Sequence, residues 1–484
     1  MRKGLVILGA LGRIVLAVGM LLLVPIPIAL IYGEYGLVKY FLYPSSISIL
    51  IGLILTLSIP LSFRDVGLFE AMVISALGWI IASIIGSIPY IYILKMSPVD
   101  AFFETMSGFT TTGMTLIKII EGKPYSILFW RALTQWIGGV GIILFFIVIF
   151  AGGGAPGLRR LYMAEAREEK LTVSTWHTVK CIWIIYFAYS ALCAVALWIA
   201  GMDPYEAVTH TFTVLSTGGF STRTASIAAF NSLAIEIILI VFMVIGGISF
   251  LAHYTLFTKG LRSFLRHYEV KAILLIIGLS TAIVSYDLVI HGVNLFNALR
   301  ESMFQVVSIM TTTGYTTIDI NTLPPLSKAV ITVLMFIGGG AGSTAGAIKV
   351  ARIVVALKAV SYELNKLLLP RGSEKPIRIG FRVLPEEDAL RITAFIIAYL
   401  IFYVAGVMIL TFRGVNVFSA MSAIASAQGN VGPAFVSLFD LDDVSKLVLA
   451  LEMWVGRLEV IPVLALLNFK AWRSVLGRTS QTIV

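Results

Sequence analysis

Four times along this chain, a segment of about a dozen residues, too short to cross a bilayer, ends in a turn of glycines and small or hydroxyl side chains. The four read "DAFFETMSGFTTTGMT" from Asp100, "DPYEAVTHTFTVLSTGGFST" from Asp203, "NLFNALRESMFQVVSIMTTTGYTT" from Asn294 and "NVFSAMSAIASAQGNVGPAF" from Asn416. Each opens on Asp or Asn, whose side chains accept hydrogen bonds from the unpaired N–H groups of a first helical turn. Between them lie apolar stretches near 11–32, 45–62, 70–94, 126–151, 180–200, 232–257, 271–291, 328–357, 391–412 and 445–468, each long enough to cover about 30 Å of hydrocarbon. The unit is span, half-helix, glycine loop, span. It occurs four times behind one extra pair of spans.

The expected fold is therefore an all-α integral membrane protein with four pseudo-symmetric helix–pore-loop–helix repeats around a central pore. Its divisions are an extra helix pair at 1–66 and repeats at 67–158, 159–260, 261–378 and 379–484. Composition agrees: 58% of 484 residues are hydrophobic and 13% charged, and the mean hydropathy is +0.95, beyond any ordinary soluble mixture. The apolar run after Arg2 and Lys3 is too long for a signal peptide and has no small-x-small cleavage site, which makes it a retained first helix. Cys181 and Cys193 show neither metal spacing nor a disulfide framework and are core residues. The net charge of +10 sits between apolar segments, which points to membrane lipid and away from nucleic acid. With an inward N-terminus, 25 of the 36 Lys and Arg fall on the cytoplasmic side, ten on the other side, and Arg457 within a span. Both termini are then cytoplasmic and the glycine loops open outward, in the plasma membrane.

Irregular backbone at membrane depth survives only where protein or a watery cavity surrounds it, because each unpaired N–H or C=O in lipid costs several kcal/mol. Four such loops in one chain must face one another. A ring of backbone carbonyls replaces the water oxygens around a monovalent cation, and glycine admits the positive φ that turns successive carbonyls inward. The half-helices would aim their carbonyl ends, with their partial negative charge, at the same cavity.

On these loops, and on "FWRALTQWIGGVGIIL" (Phe129 to Leu144), "MAEAREEKLT" (Met163 to Thr172), "FIGGGAGSTAGAIKVARI" (Phe336 to Ile353) and "MWVGRLEVIPVL" (Met453 to Leu464), the chain resembles the TrkH branch of the TrkH/KtrB/HKT superfamily of potassium transporters. The resemblance implies filter glycines at Gly113, Gly219, Gly314 and Gly432. It implies filter carbonyls from Thr111, Thr112 and Gly113, from Thr217, Gly218 and Gly219, from Thr312, Thr313 and Gly314, and from Asn430, Val431 and Gly432. Plant relatives with serine at the first position tend to prefer sodium, so Gly113 argues for potassium. The fourth loop departs most, with Asn430 and Val431 for threonines and Pro433 after the glycine.

The resemblance also makes Gly338, Gly339, Gly340, Gly342, Ser343, Thr344 and Gly346 an intramembrane gating loop. A run so rich in glycine, each losing about 1 kcal/mol relative to alanine, does not hold a helix. Its order is wrong for a phosphate-binding loop. Arg457 is implied as the pore-side barrier; an ion pair with Glu452 or Glu459, or snorkelling to the cytoplasm, is the plainer role for a charge in a span. His177, His210, His253, His267 and His291 form no cluster, so no metal centre or enzyme is expected. On the half-helices, His210 either helps hold its loop or packs, Glu104 and Glu301 either brace the loops, enrich cations at the mouth or simply meet solvent, and Tyr315 packs behind the third loop.

The implied activity is potassium uptake, gated by the loop and by a TrkA-like cytoplasmic regulatory subunit that responds to NAD or ATP/ADP. The alternative is a symporter coupled to protons or sodium. A homodimer is implied, with 358–391 helping to form the cytoplasmic contact.

Overall fold

The computed structural model describes residues 3–59, 66–141, 175–368, 377–379, 382–470 and Trp472. Among the described residues the regular structure is helical apart from a two-stranded antiparallel hairpin, β1 (Ile377–Ile379) with β2 (Arg382–Leu384), in which Arg378 pairs with Val383. Helices α1 (Lys3–Leu21) and α2 (Pro25–Ile31) together make the first span, and α3 (Val38–Ser58) returns against it. Here the Ser45 hydroxyl donates to the Gly19 carbonyl at 2.7 Å.

Four units follow. The first is α4 (Leu68–Ile93), half-helix α5 (Pro98–Phe109) and α6 (Tyr125–Val140). The second is α7 (Thr175–Ile199), half-helix α8 (Pro204–Leu215), α9 (Leu233–Gly247) and α10 (Phe250–Lys259), and short α11 (Leu261–Arg266) leads onward. The third is α12 (Tyr268–Ile290), half-helix α13 (Leu295–Met310), α14 (Pro325–Ile337) and α15 (Val350–Leu368). The fourth is α16 (Glu386–Phe412), half-helix α17 (Val417–Gln428), α18 (Asp443–Arg457) and α19 (Ile461–Leu466). The boundary expected at 158/159 and the segment Met163 to Thr172 lie outside the described residues.

Three of the four half-helices are capped as expected: Asp203 accepts from Tyr205 N–H, Asn294 from Asn297 N–H and Asn416 from Phe418 N–H. The first is a correction. Ser97, followed by Pro98 in the first turn, caps α5, and Asp100 lies inside the helix, where its carboxylate meets Lys446 Nζ of the fourth unit at 2.7 Å. A proline at the start of a helix forfeits no bond, since that N–H has no partner anyway.

The ten expected spans also need correcting. Six described helical stretches are long and apolar enough to cross unbroken: the two of the extra pair and the first helix of each unit. The second helix of each unit stops short. The chain bends by 100° between α9 and α10, leaves helix from Gly338 to Lys349 between α14 and α15, as the glycine run there leads one to expect, and breaks after Arg457 before resuming as α19. In the first unit α6 ends at Val140, with Gly141 at φ 107°, and the rest of the expected 126–151 span lies outside the described residues. The break falls at an aligned tetrapeptide in each unit: Trp136-Ile137-Gly138-Gly139, Val244-Ile245-Gly246-Gly247, Phe336-Ile337-Gly338-Gly339 and Trp454-Val455-Gly456-Arg457. At this level the inner helices meet the carbonyl ends of the half-helices; a Cβ on Gly456 would lie 1.8 Å from the Gln428 carbonyl oxygen, and one on Gly138 would lie 1.9 Å from that of Phe109.

Candidate functional site

Each half-helix ends in the same hydrogen-bonded turn. Thr111, Thr217, Thr312 and Asn430 donate their N–H to carbonyls three residues back, at 3.0, 3.0, 3.0 and 3.1 Å, and the next residues, Thr112, Gly218, Thr313 and Val431, reach five residues back at 2.8 to 2.9 Å. This is the Schellman closure, which satisfies carbonyls left over at a helix end and needs a left-handed residue. Glycine usually fills that place, but here it is Thr or Asn, with φ between 52° and 56°. Two residues on, Gly113, Gly219, Gly314 and Gly432 are left-handed again, at φ 85°, 76°, 80° and 108°. The alternation repeats in all four loops, including the fourth, where the sequence departs most.

The loops close on one another in order. A Cβ on Gly113 would lie 2.2 Å from the Gly218 carbonyl oxygen, one on Gly219 1.9 Å from that of Thr313, one on Gly314 2.0 Å from that of Val431, and one on Gly432 2.7 Å from that of Thr112. Each glycine thus lies against the carbonyl that precedes the next loop's glycine, and Gly432 completes the circuit. Among the described residues, no hydrogen bond reaches the carbonyls of Thr112, Thr313 or Val431, while that of Gly218 accepts one from Gln135. A cavity of about 420 Å³ adjoins the ring and is lined by all four glycines. Lys118 and Arg223 also line it, and Arg223 is paired with Glu206 at 2.7 Å.

The segment leaving each glycine is tied back to its own half-helix by different chemistry. Glu104, nine residues before Gly113, accepts from Thr115 Oγ1 at 2.9 Å and Leu116 N–H at 2.8 Å. His210, nine before Gly219, holds Ser221 Oγ through Nε2 at 3.0 Å and the Glu206 carbonyl through Nδ1 at 2.8 Å. Gln305, nine before Gly314, donates to Thr317 Oγ1 at 3.4 Å. In the fourth unit Ser422 Oγ accepts from Phe435 N–H at 3.0 Å. Glu104 and His210 are therefore braces, both fully buried. Glu301 is not: the bracing position in the third unit belongs to Gln305. Tyr315 is buried behind its loop and its hydroxyl meets Thr213 Oγ1 and the His210 carbonyl, tying the third loop to the second half-helix.

The non-helical stretch Gly338 to Lys349 lies against this ring on the side of the left-handed Thr and Asn residues. Gly346 N–H donates to Thr312 Oγ1 at 2.9 Å, and a Cβ on Gly346 would sit 2.4 Å from the Gly429 carbonyl oxygen. Thr344 Oγ1 bonds the Leu215 and Gly246 carbonyls at 3.0 and 2.9 Å and lies 3.2 Å from Thr217 Oγ1. Gly340 N–H donates to the Gly247 carbonyl at 2.8 Å, and Ser343 Oγ closes a turn on the Gly340 carbonyl at 2.7 Å. The loop is thus a folded element seated on the broken end of α9.

Arg457 stands where the other three units carry the second glycine of the tetrapeptide. Its guanidinium donates to the Thr344 carbonyl at 2.9 Å, the Gly139 carbonyl at 3.1 Å and the Gly138 carbonyl. One side chain therefore joins the fourth unit to the first and to the loop of the third. Glu459, a partner considered for it from sequence, is taken by Lys349 Nζ at 2.7 Å and by Arg352. Glu452, the other, keeps a buried Oε2 with no hydrogen-bond partner among the described residues.

Sequence reading missed two buried groups here. Arg131, counted among the ten outward-side charges, lies inside α6, 1% exposed, with Nε 2.9 Å from Glu104 Oε1 and its guanidinium carbon 3.9 Å from the centre of the Phe220 ring. A charged residue within "FWRALTQW", inside an expected span, was the available signal. Gln135, one turn further on, gave none.

Four half-helices ending in a closed ring of loops, set among spanning helices, define a multi-pass membrane protein with a fourfold pore-loop architecture. The sequence profile of the TrkH family, described as cation transport protein, matches residues 66–471, and the chain belongs to that family. It is 33% identical over 480 residues to the Trk system potassium uptake protein TrkH of Escherichia coli K12, covering 96% of this chain and 98% of that one. It is 35% identical over 420 residues to the protein of that name from Vibrio parahaemolyticus, covering 84% and 86%. The crystal structure of the potassium transporter TrkH from Vibrio parahaemolyticus superposes with a TM-score of 0.87 at 31% identity, over 97% of this chain and 99% of that one.

Proposed function

We propose that this protein takes up potassium across the plasma membrane through the four-loop ring, with Thr111 to Gly113, Thr217 to Gly219, Thr312 to Gly314 and Asn430 to Gly432 supplying the filter carbonyls. The observation that carries this reading is the closed circuit of glycine-to-carbonyl contacts, from Gly113 to Gly218 around to Gly432 and Thr112. Ring carbonyls at the ends of four half-helices, three of them without a hydrogen-bond partner among the described residues, are what a cation shedding its water requires. The relatives named potassium uptake proteins support the choice of ion and a transporter in place of an enzyme.

The loop Gly338 to Lys349 and Arg457 form the gate in this reading. They sit across the ring's left-handed side, and the guanidinium puts a fixed positive charge beside the path. The five-part division at 66, 158, 260 and 378 then separates the extra pair from four pore units. Cytoplasmic termini and an outward-facing mouth follow from the Lys and Arg distribution. A homodimer, and a TrkA-like cytoplasmic partner that binds NAD or ATP/ADP, belong to the same reading; the Trk system name carried by the relatives supports a partner component.

A second reading, coupling to protons, rests on Glu452, whose buried carboxyl has an oxygen without a hydrogen-bond partner among the described residues, in the inner helix of the fourth unit. Rubidium uptake by the purified protein in liposomes, with sodium competition and with or without an imposed pH gradient, decides both. Preferential rubidium uptake that follows only its own gradient is expected. No preference over sodium overturns the filter, and uptake driven by a pH gradient alone replaces the first reading with the second. Arg457→Ala is expected to raise uptake in the absence of any partner; unchanged uptake removes Arg457 from the gate.

A further inference from the structure

The second loop differs from the others in one respect that the inner helices mirror. At the residue before the filter glycine, three loops carry a side chain, Thr112, Thr313 and Val431, while the second carries Gly218. Three residues before the first glycine of the inner-helix tetrapeptide, three units carry a buried methionine, Met243, Met335 and Met453, while the first carries Gln135. The two exceptions meet. A Cβ on Gly218 would lie 2.4 Å from Gln135 Cδ, so the carboxamide occupies the space that a side chain there would fill. Gln135 Nε2 donates to the Gly218 carbonyl at 2.7 Å and its Oε1 accepts from Phe220 N–H at 3.0 Å. One fully buried amide thus grips the backbone on both sides of Gly219.

We infer that Gln135 is a specificity-determining positioning residue, which fixes the Gly218 and Gly219 carbonyls of the second loop by standing in for the side chain that loop lacks. The inference rests on the filter reading above. A glycine pair has the widest choice of backbone conformations, and two consecutive glycines in a cation-binding loop leave its carbonyls free to turn away from the ion. The amide removes that freedom from behind. The cost is one ring carbonyl already engaged by a hydrogen-bond donor, which makes this quadrant a weaker cation ligand than the other three.

The full-length protein in liposomes tests this through the ratio of radiolabelled rubidium to sodium uptake, which does not depend on how much of each variant folds. Gln135→Ala is expected to lower the ratio about three- to tenfold, the factor to which one net hydrogen bond converts. Gly218→Thr alone is expected to lower it as well, because the new Cβ collides with Gln135. Gln135→Met combined with Gly218→Thr gives the two positions the methionine of the other inner helices and the threonine of the first and third loops and is expected to recover most of the parent ratio. A residue that served only to fill the core would change total uptake and leave the ratio alone. If the parent shows no preference for rubidium, the filter reading and this inference both fall. If the parent prefers rubidium and Gln135→Ala keeps its ratio, or the double variant is no better than Gln135→Ala, this inference alone falls.

Discussion

Thr111, Thr217, Thr312 and Asn430 hold left-handed backbone that side-chain-bearing residues avoid, at a cost of about 1–3 kcal/mol each. What offsets it is local and repeated: the Schellman bonds at each half-helix end. For Thr312 the hydroxyl also receives Gly346 N–H, and for Asn430 the carboxamide donates to Thr112 Oγ1 at 3.0 Å and the Met453 carbonyl at 2.9 Å. The side chains here serve as struts from loop to surroundings. The glycine two residues on has no such choice. At Gly432, φ is 108° and a Cβ would lie 2.7 Å from the Thr112 carbonyl oxygen. Gly432→Ala therefore adds backbone strain of about 1–2 kcal/mol and presses on the first loop. Its expected result is a lower rubidium-to-sodium uptake ratio, with protein yield near the parent's.

At the scale of elements, the first unit is braced differently from the rest. Glu104 and Arg131 form an ion pair with both side chains almost fully buried, and the carboxylate also accepts from Thr115 and Leu116 while the guanidinium donates to the Ser221 carbonyl at 3.1 Å. Such a pair is a weak net stabiliser, but removing one partner strands the other charge, at a cost of about 3–5 kcal/mol. Arg131→Leu should therefore lower the melting temperature in detergent sharply, and adding Glu104→Gln should return much of the loss. A second drop on adding Glu104→Gln would show that the carboxylate's bonds to the outgoing segment outweigh the stranded charge. The inner helices teach a complementary lesson. Outside the third unit, where the glycine run itself announces the interruption, their apolar runs read as continuous spans because hydropathy does not distinguish a straight helix from two short ones. The breaks come from what packs at the glycine tetrapeptide, the half-helix ends of α5, α8 and α17 and the loop of the third unit.

At the scale of the whole molecule, contacts between units close the ring. Lys446 to Asp100 links the fourth unit to the first, Arg300 to Glu236 at 2.6 Å links the third to the second, and Arg457 spans three units at once. With a cytoplasmic N-terminus, the cavity beside the ring faces outward. A cysteine at Lys118, in a chain whose Cys181 and Cys193 have been replaced by alanine, is then expected to react with a membrane-impermeant thiol reagent added outside intact cells, and one at Lys358 only after the membrane is opened. The reverse pattern would invert the topology.

Sequence alone determined the class, the fourfold repeat, the half-helices and the positions of Gly113, Gly219, Gly314 and Gly432. Hydrophobic length, capping residues and glycine are local properties of a chain, and here they recur in register. It also singled out Arg457 and the stretch from Gly338, because a charge and a glycine run stand out against an apolar background. Only the tertiary structure decided that every inner helix stops at the same level, that Ser97 caps α5, that Gln305 and not Glu301 braces the third loop, and that Arg457 is held by carbonyls while Glu459 goes to Lys349 and Arg352. It alone placed Gln135 against Gly218. Each of these depends on which distant segments come to lie side by side, 83 residues apart in the case of Gln135 and Gly218 and 319 for Arg457 and Gly138, and nothing in the local chemistry of either segment names its partner.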